Sequence, residues 1–308
     1  MSNSLKQFGV KLAYEQLEKR GDKLEPFAQL IDWSRFQTLF SRRGGPGRPS
    51  YNPVIMFKVL ILQHLYGIAD EEVEYQLCNR LDFQRFLGFP ENIPDHTTIW
   101  RFREYLSEND LHDALWNELN RQIQEKGIQY SKGVIQDASF ITANPGKTNS
   151  SDKIDRGRGQ PTTRNEDGTW TQKNKKNFFG YKLHNKVELE DGFITELAVT
   201  TARVHDNQID LTKKDEIVYR DKGYFGAKPK AKGDATMDRA VRGRKLNIRE
   251  ILRNKRITKI RSVGERPFAV IKNVLHGGHT LYTELHRVFT QQFMNCFVYN
   301  LIQLKRIT

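Results

Sequence analysis

The sequence predicts an α/β protein in two parts, an all-α region over residues 1–127 and a mixed-sheet domain over 128–308. Three observations predict it. The first half carries apolar residues at helical spacing between helix-start and helix-stop signals. Strand-forming residues concentrate from Gly133 onward. The later segments then run strand, hairpin of two strands, short helix, strand, helices, which is the order of an α/β domain with a mixed sheet. A chain of 308 residues is long enough to bury two cores.

In the helical region, NPVIMFKVLILQHLYG has Asn52 as a cap, Pro53 at the first helical position and Gly67 at the exit. It is apolar nearly all round, which predicts a buried helix. ADEEVEYQLCNRL opens with Asp70, Glu71 and Glu72, acids that favour a helix start. In ENIPDHTTIWRFREYLSEN, Asp95 is the N-cap and Ile99, Phe102 and Leu106 share a face. A further helix over 109–126 ends at Gly127. Short helices with tight turns suit a helix-turn-helix-like DNA-binding module, and equally a plain helical bundle.

At Gly133 the character changes. GVIQDASFITA reads as a strand, and residues 144–176 read as a long polar loop. FFGYKLHNKVELEDGFITELAVTT reads as a hairpin turning at Glu190-Asp191-Gly192. His205-Asp206 starts a short helix, and DEIVYRDKGY is a buried strand ending at Asp221. A basic stretch over 228–261 follows, then helices in PFAVIKNVL and LHRVFTQQFMNCFVYNLIQL.

Composition narrows the class of partner. The net charge is +13, and residues 228–261 alone hold 13 lysines and arginines against 3 acids. Positive charge concentrated there and in 142–178 points to a polyanion, nucleic acid first. No apolar run reaches the ~18 residues that span a bilayer. The first residues lack a secretory pattern, so a cytoplasmic protein is expected, nucleoid-associated when bound to DNA. Cys78 and Cys296, in apolar contexts, are expected as buried free thiols.

The acids carry the chemistry. Asp137 lies inside the apolar strand VIQDASF, and Asp221 ends the apolar strand IVYRDKGY. A carboxylate in such a place is costly unless it is paired or binds a metal. Two on neighbouring strands repel, and a divalent cation relieves this. Two such ions can activate water and stabilise the leaving oxygen in phosphoryl transfer. Glu265 follows in RSVGERPFAVIK, where Pro267 suggests a helix start nearby. On a helix, Arg261, Glu265 and Lys272 fall on one face. Each acid alone also has an ordinary reading as a strand-end cap, a turn residue or a helix-start acid.

These segments resemble the insertion-sequence transposases of the DDE superfamily, specifically the insertion-sequence-five (InsH-like) family. The resemblance runs from about Gly47 to the C-terminus. GRPSYNPVIMFKVLILQHLYGIADEEVEYQL and PDHTTIWRFREYL are similar to that family's helical DNA-binding region. IQDASF, VYRDKGYFG and RSVGERPFAVIK are similar to its catalytic motifs. The resemblance implies a ribonuclease H-like catalytic domain, with the first Asp on the first strand, the second on the fourth and the Glu on a following helix. It implies metal-dependent cleavage and strand transfer at transposon ends, with Asp137, Asp221 and Glu265 as catalytic metal ligands. The expected ion is Mg2+, with Mn2+ substituting, and the expected partners are double-stranded DNA and a second copy of the chain.

Arg261 and Lys272 match basic positions that would contact phosphates. The basic residues Lys173, Lys175, Lys176, Arg242, Arg244 and Lys245, with Arg101 and Arg103 in the helical region, are the other expected DNA contacts. Two positions depart from the family pattern. Thr258 stands where a Tyr is frequent, and Arg220 stands where a small residue precedes the second Asp; on a strand Arg220 would point away from Asp221. His276-Gly-Gly-His279 lacks an acid or Cys partner and reads as a helix end. Phe178, Phe179 and Tyr181 read mainly as core, and Tyr224 as a possible DNA contact. The alternatives are a catalytically silent regulator derived from a transposase, and a nuclease of the same fold that does not join.

Overall fold

The computed structural model describes residues 3–40, 51–147, 165–173 and 175–308. The chain divides into two compact units: Met1–Lys126 with Leu304–Thr308, and Gly127–Gln303.

The first unit is helical. Its helices are α1 (Asn3–Arg20), α2 (Glu25–Leu30), α3 (Pro53–Tyr66), α4 (Asp70–Asn79), α5 (Leu81–Leu87), α6 (His96–Glu108) and α7 (Leu111–Glu125), with a 3-10 turn at Trp33–Leu39. Helix α3 starts where the Asn52 side chain accepts from the Val54 N–H, and stops at Gly67, whose φ of 61° a side chain would resist. Met56, Phe57, Val59, Leu60, Ile61 and Leu62 are buried, so α3 is the central rod. Phe36 and Phe40 stack on Phe57, and Phe40 also meets Phe102 of α6. No single helix among the described residues is long and apolar enough to cross a membrane.

Two expectations for this unit are corrected. Arg103 is only 3% exposed; it donates to Gln63 Oε1 at 3.0 Å and pairs with Asp70. Its charge ties α6 to the start of α4 and is not offered to DNA. Arg101, two residues earlier and on another face of α6, is exposed. Cys78 is exposed, because the apolar neighbours Val73 and Leu77 turn the opposite face of α4 inward.

The second unit is a mixed sheet of β1 (Gly133–Ala143), β2 (Thr169–Lys173), β3 (Lys176–Glu188), β4 (Ile194–Thr201), β5 (Ile217–Arg220), β6 (Gly233–Thr236) and β7 (His279–Thr280). Two long helices accompany it, α8 (Ile248–Asn273) and α9 (Leu285–Ile307). The sheet runs β2-β3-β1-β5-β6, with β4 also on β3 and β7 on β1. β1 pairs antiparallel with β3 and parallel with β5. The hairpin turn expected at Glu190-Asp191-Gly192 lies between β3 and β4, and Gly192 has a φ of 75°.

The basic segments hold more structure than their composition suggested. Residues 169–173 form β2 and Lys176 begins β3, so the end of the expected 144–176 loop is a strand pair. Residues 148–164 of that loop lie outside the described residues. The 228–261 stretch contains β6 and half of α8. Helix α8 does not begin near Pro267. It begins at Asn247, where Asn247 and Glu250 form a reciprocal capping box, and Pro267 lies inside it.

Packing fixes both helices to the sheet. The Asn300 side chain of α9 bonds both the N–H and the C=O of Ile194, and Tyr299 donates to Gly192 O at 2.9 Å. Cys296, fully buried, donates weakly to Asn185 Oδ1, and burial pushes its thiol pKa up. Helix α8 lies directly on β1: a Cβ on Gly264 would stand 2.6 Å from Ile135 Cγ2, closer than packed atoms approach. Ile135 and Asp137 share that face of β1 by strand alternation. Their β3 partners, Val187 and Asn185, lie on it as well.

Candidate active site

The register of the sheet brings Asp137 and Asp221 together. Gly133, Val134 and Ile135 pair with Ile217, Val218 and Tyr219; the same register carried forward sets Asp221 beside Asp137. β5 ends at Arg220, so Asp221 is the residue that leaves the strand. Its Oδ1 accepts from the Gly223 N–H at 2.8 Å, which turns the chain into a short 3-10 turn, Lys222–Tyr224. A side chain at Gly223 would collide with that oxygen: a Cβ there lies 2.9 Å from Asp221 Oδ1 and 3.7 Å from Asp206 Oδ2. The glycine therefore leaves room for Asp221 Oδ1, with Asp206 Oδ2 within contact distance of the same point.

Asp206 was expected only as a helix start. It opens the 3-10 turn Asp206–Gln208 and is held by Lys182 of β3, whose Nζ donates to Asp206 Oδ1 at 2.8 Å and to Val204 O at 2.7 Å. Nothing in the sequence marks this pairing, because the partners are 24 residues apart on different elements.

Asp137 is held from two sides. Its Oδ1 accepts from the Ala138 N–H at 2.9 Å, and its Oδ2 from Arg261 of α8 at 2.7 Å. Burial nevertheless pushes its carboxyl up to about 6, against the opposing pull of Arg261 and the Ala138 N–H. The charges of Asp221 and Asp206 add to the rise. An acid cluster with one guanidinium beside Asp137 is short of positive charge at neutral pH.

Glu265 lies one turn beyond Arg261 on α8, exposed to solvent. It makes no hydrogen bond or ion pair among the described residues. The structure thus sets Asp137, Asp221 and Asp206 near enough to feel one another's charge, without the three converging on one point, and leaves Glu265 on the adjoining turn. Thr258, in place of the frequent Tyr, bonds its own helix at Asn254 O. Arg220 is buried and points away from the acids, bonding Thr236 Oγ1 and Ala227 O.

Tyr224 is fully buried, which corrects its reading as a surface contact to DNA. Its hydroxyl lies beside the Gln136 amide but makes no hydrogen bond of good geometry. Burial raises its pKa, the charges of Asp137, Asp206 and Asp221 raise it further, and the Gln136 amide counters the rise.

The remaining basic positions take several forms. Lys175 sits at the β2–β3 turn with a φ of 62° and is exposed, as is Lys176. Lys173 ends β2, and its side chain lies outside the described residues. Arg242, Arg244 and Lys245 are exposed before α8, with Arg244 paired to Glu250. Lys272 is half-buried, its stem packed on Gly278. Arg261 belongs to the acid cluster itself. A groove of about 300 Å³ runs along α8, lined by Lys222, Leu246, Ile251, Asn254, Lys255 and Thr258.

The donor set suits a hard divalent cation. Among the described residues no three Asp, Glu, His or Cys groups converge on one point. Mg2+ does not need them to, because it keeps several waters and takes one or two carboxylates.

Two family models match the chain. Residues 12–105 match the Transposase domain (DUF772), and residues 129–301 match the Transposase DDE domain. Among solved structures, the chain is similar to a piggyBac transposase in a synaptic complex with hairpin DNA. The TM-score is 0.46 at 8% identity, over 91% of this chain and 72% of that one. The second family model spans more than half of the chain, across the strands and helices that position the acids: the chain belongs to the transposase DDE domain family.

Proposed function

We propose that this transposase binds the terminal inverted repeats of an insertion sequence of the insertion-sequence-five (InsH-like) family, and cleaves and joins DNA there with two divalent cations. The observation that carries this reading is the placement of Asp137, inside β1, beside Asp221, which leaves the end of the parallel strand β5, short of balancing positive charge. Asp137, Asp221 and Glu265 would hold Mg2+, with Mn2+ able to substitute. Glu265 would reach the ions from the exposed face of α8 once DNA and metal are bound. The ions supply a Lewis acid for the phosphate and an activated water.

The chain's own residues do the rest. Arg261 neutralises Asp137 and restrains it in one rotamer. The Gly223 N–H fixes Asp221 Oδ1 and leaves Oδ2 free to ligate. Lys175, Lys176, Arg242, Arg244, Lys245 and Arg101 present exposed charge to phosphates, with Lys173 at the end of β2 and Lys272 in the last turn of α8. The helical unit, as a helix-turn-helix-like module, recognises the repeat. Two ends must be synapsed, so a homodimer is the working assembly, acting in the cytoplasm on nucleoid DNA.

The test is metal-dependent nicking and strand transfer on a duplex bearing the element's end. Asp137→Asn and Asp221→Asn should abolish both while end binding survives. Nicking retained by either variant would overturn the assignment. Nicking without joining by the wild type would identify a nuclease instead.

A further inference from the structure

We propose that Asp206 is a fourth carboxylate of the reaction centre, serving the divalent cation held at Asp221. This rests on the metal-dependent reading above and extends it to a residue outside the Asp137, Asp221 and Glu265 set.

Three observations carry it. The first is convergence: Asp206 Oδ2 and Asp221 Oδ1 lie within 3.7 Å and 2.9 Å of one point beside Gly223, a position that any side chain would block. The second is the counter-charge. Lys182 is 12% exposed and donates to Asp206 Oδ1 and to a backbone carbonyl, so a side chain from β3 spends its charge holding this carboxylate in place. Only Oδ1 is engaged in that pair, so Oδ2, the oxygen that faces Gly223, keeps its lone pairs for a ligand.

The third observation is independent of the acids. The Tyr224 hydroxyl is fully buried without a hydrogen-bond partner, and it senses the charges of Asp137, Asp206 and Asp221 together. A buried hydroxyl left unpaired is unfavourable. It lies close enough to the acid cluster to feel its charges, and a cation-bound water there would satisfy it. A hard cation takes carboxylate and water oxygens, and the site offers carboxylates for the first and the Tyr224 hydroxyl to donate to the second.

The experiment measures Mn2+ binding to the full chain by electron paramagnetic resonance, without DNA, in the wild type and in Asp206→Asn, Asp206→Glu and Asp221→Asn. Asp206→Asn should weaken Mn2+ binding about tenfold or more, and Asp206→Glu should stay close to wild type. Wild-type affinity in Asp206→Asn, with affinity lost in Asp221→Asn, overturns this inference and leaves the metal-dependent reading standing. Wild-type affinity in Asp221→Asn overturns that reading itself. Should Asp206→Asn fail to fold by circular dichroism, Lys182→Gln answers the same question. Freeing Asp206 from its cation should tighten Mn2+ binding severalfold, and unchanged or weaker binding overturns the proposal.

Discussion

Arg261 and Asp137 are 124 residues apart in sequence, yet the guanidinium Nη2 of the first donates to Oδ2 of the second at 2.7 Å. Their side chains are 13% and 22% exposed, so the pair is partly withdrawn from water. The arginine that resemblance assigned to DNA phosphate is the direct neighbour of Asp137, the first acid of the proposed site.

This contact predicts the behaviour of Arg261→Gln. Removing a positive charge next to the proposed cation site should raise Mn2+ affinity on the order of a hundredfold, since unit charges ~5 Å apart interact by ~3 kcal/mol at an effective dielectric of 20. Titration of Mn2+ into variant and wild type measures it. If Arg261 instead serves a phosphate, the variant lowers the salt slope of end binding by about one and leaves Mn2+ affinity unchanged.

Asp137 sets a pH dependence whose sign is fixed. Its carboxyl is raised from 3.8 to about 6, so the folded chain holds this proton more tightly than the unfolded chain does. Between those values the folded state carries more protons, and stability falls as pH rises. The loss is complete above the folded value and amounts to about 3 kcal/mol. Denaturant titrations in EDTA from pH 4 to 7 should show the decline, and Asp137→Asn should flatten it. An unchanged slope in that variant would place the titration elsewhere.

Arg103 and Arg101 should separate stability from binding. Arg103→Met breaks a buried pair and should cost about 3 kcal/mol, read as a lower denaturation midpoint, without changing the salt dependence of end binding. Arg101→Ala should leave stability within about 0.5 kcal/mol and weaken DNA binding. The opposite pattern would mean that α6 meets DNA by its other face.

Gly264→Ala tests the seat of α8. The new methyl would meet Ile135 Cγ2 at 2.6 Å, so helix and strand must part or Ile135 must move. We expect a loss of about 1–3 kcal/mol and slower nicking, because the same helix carries Arg261 and Glu265. Ile135→Ala in the same chain should return part of the nicking rate. Additive losses in the double variant would show that the contact is not the cause.

The sequence by itself determined the local elements. Asn52, Pro53 and Gly67 bound α3 because capping and left-handed exit are chemistries of single residues and their immediate neighbours. The apolar strands around Asp137 and before Asp221 were legible for the same reason, since a carboxylate among strand formers stands out at short range. One local signal was overlooked: Asn247-Ile-Arg-Glu250 is a capping box, and it starts α8 well before Pro267. Only the tertiary structure decided which charges meet. Strand register set Asp221 beside Asp137, helix packing delivered Arg261 to Asp137, and the fold around Gly223 brought in Asp206 with Lys182. It also buried Arg103 and Tyr224, which their places in the sequence had offered to DNA. A charge in a sequence has no partner until register and packing assign one, because electrostatic and desolvation energies depend on distances that capping and periodicity do not encode.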